Sequence, residues 1–143
     1  MIGMVTKQMF FDRKAVTSRV DKAARKVLSK FGAFVRTGAR HSIRKRKAIS
    51  EPGSPPSSHV GLLKKLIYFG YDPGRKSVVI GPTPLNHSGG EAPPLLEYGG
   101  RARRRGRKGK LVSATYRPRP FMGPAFEREK PKLPEMWANS IKA

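Results

Sequence analysis

Thirty-one lysines and arginines face only nine aspartates and glutamates in this 143-residue chain, a formal net charge of +22. A small domain with that excess repels itself when compact, so an anionic partner is expected. DNA, RNA, an acidic protein neighbour and an anionic membrane surface all satisfy the requirement. Hydrophobic residues make up 37% of the chain, which permits a thin core and leaves subunit contacts to supply the rest. Cysteine is absent, so disulfides and thiolate metal ligands are excluded. No apolar run approaches the roughly 18 residues of a membrane span. Residues 1–11, read as an N-terminal arm, place Lys7 mid-segment and lack the cleavage pattern of a signal peptide. The expectation is a cytosolic chain with no membrane partner.

Hydrophobic periodicity predicts one long helix from Asp12 to about Ile43. Val16, Val20, Ala23, Val27, Phe31, Phe34 and Val35 fall at helical steps. Asp12 is the expected N-cap, and Gly32 and Gly38 mark a bend or a close helix contact. The stripe of Val20, Val27, Phe31 and Phe34 is expected to face a sheet. The opposite face carries Arg19, Lys22, Arg25, Lys26, Lys30, Arg36 and Arg40.

Residues 44–59 open on Arg44-Lys45-Arg46-Lys47 and continue into proline, glycine and serine, which predicts an exposed loop. A short helical lead-in at 61–65 precedes a hairpin. Its strands are Leu66–Phe69 and Ser77–Ile80, with Asp72-Pro73-Gly74 as the turn. Gly81-Pro82-Thr83-Pro84 is read as a firm strand stop, and 81–94 as a second exposed loop. Leu95–Tyr98 is a short apolar element. Residues 100–110 are read as a third exposed loop, with seven positive charges between Arg101 and Lys110. Leu111–Tyr116 alternates as a strand. A C-terminal helix begins near Phe121 and is kinked or split by Pro131 and Pro134. The expected architecture is therefore a single α+β domain over 12–143. Its long N-terminal helix and C-terminal helix pack on a small antiparallel or mixed sheet, with long loops between.

Catalytic chemistry finds little footing. His41, His59 and His87 have no second ligand at metal spacing, and Glu91 and Glu97 are the only carboxylates between Asp72 and Glu127. Nucleophile-elbow, phosphate-loop and dinucleotide-binding patterns are absent. The chain is therefore expected not to be an enzyme and to need no metal or cofactor. The basic clusters offer more. Arg44, Lys45, Arg46 and Lys47, together with Arg101, Arg103, Arg104, Arg105, Arg107, Lys108 and Lys110, are candidate contacts for DNA or an acidic partner. Both clusters lack interleaved aromatics, which argues against single-strand stacking; their bland reading is solvated charge. Phe31, Phe34, Phe69, Phe121 and Phe126 are read as core.

Four segments together resemble a known family. They are Gly61-Leu62-Leu63, Val78-Val79-Ile80-Gly81-Pro82, Leu96-Glu97-Tyr98-Gly99-Gly100 and Arg119-Pro120-Phe121-Met122-Gly123-Pro124-Ala125-Phe126. In this order after a long helix, they resemble the neck and tail-completion proteins of long-tailed phages. The family is the gene-product-ten-like one of HK-type siphophages, related to lambda minor tail protein Z. The resemblance spans about residues 12–130. It departs at Pro131 and Pro134, which break a usually smooth last helix, and in the unusually basic 101–110 segment. It implies a structural virion subunit at the neck or tail, made in the bacterial host cytoplasm. Such a subunit would act in head–tail joining or tail completion as a ring oligomer, usually six-fold. Its implied partners are copies of itself, other phage neck and tail proteins, and packaged double-stranded DNA. The competing expectation is a small basic nucleic-acid-binding protein, with an unrecognised hydrolase behind it.

Overall fold

The computed structural model describes residues 12–83, 92–106, 109–138 and 140–141. The expected arm at 1–11, most of the expected loop at 81–94, and Arg107 and Lys108 lie outside these described residues.

Helix α1 spans Arg13–Ser42. Asp12 caps it as expected, its Oδ1 accepting from the Ala15 N–H at 3.0 Å. Beyond the helix the chain forms strand β1, Arg44–Lys45, and strand β2, Ser57–Ser58, which pair in parallel. Helix α2, Leu62–Lys65, leads into β3, Ile67–Asp72, and β4, Ser77–Pro82. The last two form the expected antiparallel hairpin. Asp72 Oδ1 closes its turn by accepting from the Gly74 and Arg75 N–H groups. Gly81 and Pro82 extend β4 instead of stopping it, because both remain in register opposite Tyr68 and Ile67.

Helix α3 covers Ala92–Tyr98, so the expected loop at 81–94 is a strand end and a helix start at its described margins. Strand β5, Gly100–Arg105, pairs antiparallel with β6, Leu111–Tyr116. Helix α4, Met122–Glu129, passes through a 3-10 turn at Lys130–Lys132 into α5, Leu133–Trp137. This is the split that Pro131 and Pro134 predict. The α+β class holds, with the strands distributed over three two-stranded ladders.

One cluster forms the core: Phe31, Val35, Ala39 and Ile43 of α1 against Leu63, Ile67, Phe121 and Ala125. Small residues on α1 admit the neighbours. A Cβ on Gly32 would lie 2.8 Å from Val78 and 2.9 Å from Phe69, so glycine here permits the close approach of the β3–β4 hairpin.

The expected helix stripe needs correction. Val16, Val20 and Phe34 are each at least 40% exposed. Residues 12–20 run past the elements that cover the rest of α1, and every one of them is exposed. Phe34 is rotated about 60° from Phe31 at 3.6 residues per turn, which puts it on the margin of the buried face. Phe126 is also largely exposed, with one edge against the Phe31 ring at 5.6 Å between centroids.

Where α4 ends, Glu129 is buried and accepts from Lys132 Nζ at 2.6 Å, with Arg128 Nε at 3.5 Å. The Lys132 hydrogen bond holds this carboxyl below the usual glutamate range. A carboxyl depressed in the folded state contributes stability above its unfolded pKa of about 4.3 and loses it as pH falls through the folded value. Thermal melts should therefore show the wild type losing stability as the pH falls below about 5. Glu129→Gln should lose less over the same range.

Candidate functional site

Two features of the motif segments come together at one joint. Helix α4 begins at Phe121, which has no side-chain acceptor to offer its own first turn. Glu97 of α3 fills that role from 24 residues upstream. Its Oε2 accepts from the Phe121 and Met122 N–H groups at 2.9 and 3.0 Å, and its Oε1 from Gly123 at 2.7 Å. A carboxylate on a helix N-terminus satisfies orphan donors and meets the positive end of the helix dipole. Nearby, Gly99 sits at φ 73°, and a Cβ there would meet the Tyr116 carbonyl at 2.9 Å. Arg119 N–H donates to Leu96 O at 2.6 Å, which ties the two segments side by side.

The remaining motif residues serve the fold in different ways. Gly61 takes a left-handed φ of 76° to start α2, and Leu62 beside it is 42% exposed. Phe121 and Ala125 are core, Pro120 is half-buried, and Pro124 and Tyr98 are exposed.

The basic residues follow two patterns. The loop expected at 44–59 is pinned at both ends by the β1–β2 pairing, and Ser50, Pro56 and Ser58 within it are buried. Gly53 N–H donates to Pro118 O at 2.9 Å, and Arg119 Nε to Ser50 O at 2.8 Å. This segment therefore packs against its own chain, contrary to a free loop.

The segment expected as a loop at 100–110 is a strand as far as Arg105. A run of like charges forbids burial, but a ladder needs no burial when both faces stay in water. Leu111–Tyr116 supplies the partner, and the Gly106 N–H to Lys110 O bond of 2.8 Å continues the hairpin towards its tip. Register then sorts the side chains. Arg101, Arg103 and Arg105 share one face with Thr115, Ser113 and Leu111. Arg104 lies on the other face with Val112 and Ala102. Arg101, Arg103, Arg104, Arg105 and Lys110 are all exposed.

Between the pinned segment and the base of this ribbon lies an open cleft of about 560 Å³. Arg46, Lys47, His59, Arg117 and Arg119 bring positive or titratable groups to its lining, and no carboxylate among the described residues lines it. Arg46 Nε donates to Ser57 Oγ at 2.9 Å, which fixes the guanidinium at the rim. Ser50 also lines the cleft, and its buried hydroxyl has no hydrogen-bond partner among the described residues. Ion pairs among the described residues lie elsewhere: Asp21 with Lys76, Asp72 with Arg75, Glu127 with Lys130, and Glu129 with Arg128 and Lys132. Among the described residues no carboxylate forms an ion pair with the charge on the cleft and ribbon.

The sequence reading missed Ser50, His59, Arg117 and Arg119 as cleft residues. Arg117 and Arg119 alternate with prolines and form no charge run, so only the fold brings them to Arg46. Of the histidines, His41 lines a shallow groove with Phe34, Arg128 and Glu129, and His87 lies outside the described residues. Among the described residues no cluster of metal-ligating side chains occurs, and no helix is long and apolar enough to cross a membrane. Comparisons with protein-family models, curated proteins and solved structures found no match for this chain.

Proposed function

We propose that this chain is a structural virion subunit of the phage neck or tail end that assembles as a ring in head–tail joining or tail completion. The observation that carries this reading is the imbalance between covered and uncovered apolar side chains. Among the described residues eleven hydrophobic side chains are buried, whereas fourteen large ones are exposed. Several of the exposed ones sit on elements that project from the core: Val16 and Val20 on α1, and Leu111 and Val112 on the ribbon. A two-stranded ribbon with both faces in water is marginal by itself, and neighbouring subunits would cover the face that carries Ala102 and Val112. The meeting of the Leu96–Gly100 and Arg119–Phe126 segments at Glu97 supports the family resemblance, since two of its four segments form one joint.

The alternative, a small basic nucleic-acid-binding protein, draws on the unpaired charge but leaves the apolar exposure unaccounted for. Sedimentation velocity in the absence of nucleic acid separates the two. The ring reading expects self-association, or assembly on a partner ring, with several copies located at the neck of the particle. A chain that stays monomeric, with one copy or none in purified virions, would sink it.

A further inference from the structure

We infer that the arginine face of the β5–β6 ribbon and the adjoining cleft form one continuous surface for the phosphate backbone of double-stranded DNA. The inference does not depend on ring formation. Thr115, the register partner of Arg101, lines the cleft, so the row Arg101–Arg103–Arg105 starts at the cleft rim and runs outward along the ribbon. Same-face neighbours on a strand stand about 6.8 Å apart, a regular repeat of the same order as that of successive phosphates along a DNA strand, whose axial rise of about 3.4 Å is lengthened by the turn of the helix. Three guanidinium groups at that repeat suit a regular polyanion better than the irregular charge of an acidic protein.

Guanidinium is also the group that pairs with phosphate through two parallel N–H bonds. The cleft extends the row with Arg46 and Arg117, and among the described residues no carboxylate lines it to repel phosphate. Holding Arg46 through Nε leaves the amino groups of that guanidinium to face a ligand. The arginine row meets phosphate oxygens and not base edges, so binding is expected to be independent of sequence.

The test is binding of the purified full chain to a short synthetic DNA duplex across a salt titration. Each phosphate contact adds about 0.9 to the slope of log affinity against log salt. Arg101→Gln, Arg103→Gln and Arg105→Gln together should flatten that slope by about 2.7, and Arg46→Gln with Arg117→Gln by about 1.8. Replacing the ribbon arginines by lysine should retain most of the slope. The control neutralises an equal charge on exposed α1 positions, through Arg13→Gln, Lys14→Gln and Arg19→Gln. If the control flattens the slope as much as the ribbon variant, binding follows net charge and the assignment is overturned. It is also overturned if the duplex does not bind, or if a single strand of the same length binds more tightly. Circular dichroism of each variant checks the fold, and sedimentation reads ring formation separately.

Discussion

Phe31→Asp is expected to abolish the folded state or lower its stability by several kcal/mol. The Phe31 side chain is 2% exposed and packs between Val35, Ile67, Phe121 and the edge of Phe126. An aspartate there has no cationic neighbour in the core cluster. It would be buried unpaired or would take up a proton at a cost. Domains of this size are stable by roughly 5–15 kcal/mol, and a core supplied by eight residues leaves little reserve. Phe31→Leu should cost far less, since volume is nearly kept. Phe34→Asp is the sharper comparison, because Phe34 sits on the same helix and is 40% exposed. Its loss should change stability by less than about 1 kcal/mol, chiefly through its contact with the Lys30 ammonium. Chemical denaturation of the three variants decides the point. Equal losses at positions 31 and 34 would mean that the buried face of α1 is misassigned.

That pair of phenylalanines also measures what the sequence could reveal. Helical periodicity identified the correct element and most of its face, because Val27, Phe31 and Val35 recur at helical steps and are buried. It could not say where the covering elements end. Val20 lies on the apolar side of α1 yet is exposed, since the elements packed on α1 do not extend that far. Buried Ala24 and Ala39 were inconspicuous for the opposite reason, since small side chains carry little hydrophobic signal, whereas Gly32 and Gly38, read as a bend or a close helix contact, lie against the β3–β4 hairpin and against Arg128 and Ala125 of α4. The β3–β4 hairpin was legible because its turn chemistry and strand residues agree.

The β5 strand was not legible. Its arginines read as a solvated run, and the information that orders them sits in the alternation of Leu111–Tyr116 across the turn. For the basic clusters, sequence gave the residues but not their arrangement. Alternation on a strand divides Arg104 from Arg101, Arg103 and Arg105, and only tertiary packing adds Arg117 to Arg46. The Glu97 joint had a usable signal that was overlooked. A helix opening on Phe121 lacks its own capping side chain, and few carboxylates exist in this part of the chain to serve it.

Glu97→Ala should therefore destabilise the protein by about 3 kcal/mol, a large effect for a side chain outside the core. Three N–H groups lose a charged acceptor at once, and two of the three bonds are part-buried. Water can replace the acceptor at Gly123, where the bond is exposed, more easily than at Phe121 and Met122. The macrodipole of α4 also loses its compensating negative charge. At the entropy of unfolding of a domain this size, the melting temperature should fall by about 10 °C. Glu97→Gln should lose roughly half as much, because one amide oxygen still accepts while the amide nitrogen faces N–H donors. Glu97→Asp tests reach: the charge remains, but the shorter side chain must draw α3 towards α4 to use it. Glu135→Ala, an exposed carboxylate on α5, is the control and should be near neutral. The consequence extends to the cleft, because Leu96 and Arg119 are held together beside this joint and both line it. A loosened joint should weaken duplex binding at temperatures where the protein is still folded, without changing its net positive charge unfavourably. If Glu97→Ala melts within about a degree of the parent, the three hydrogen bonds contribute nothing measurable and the cap is incidental to the fold.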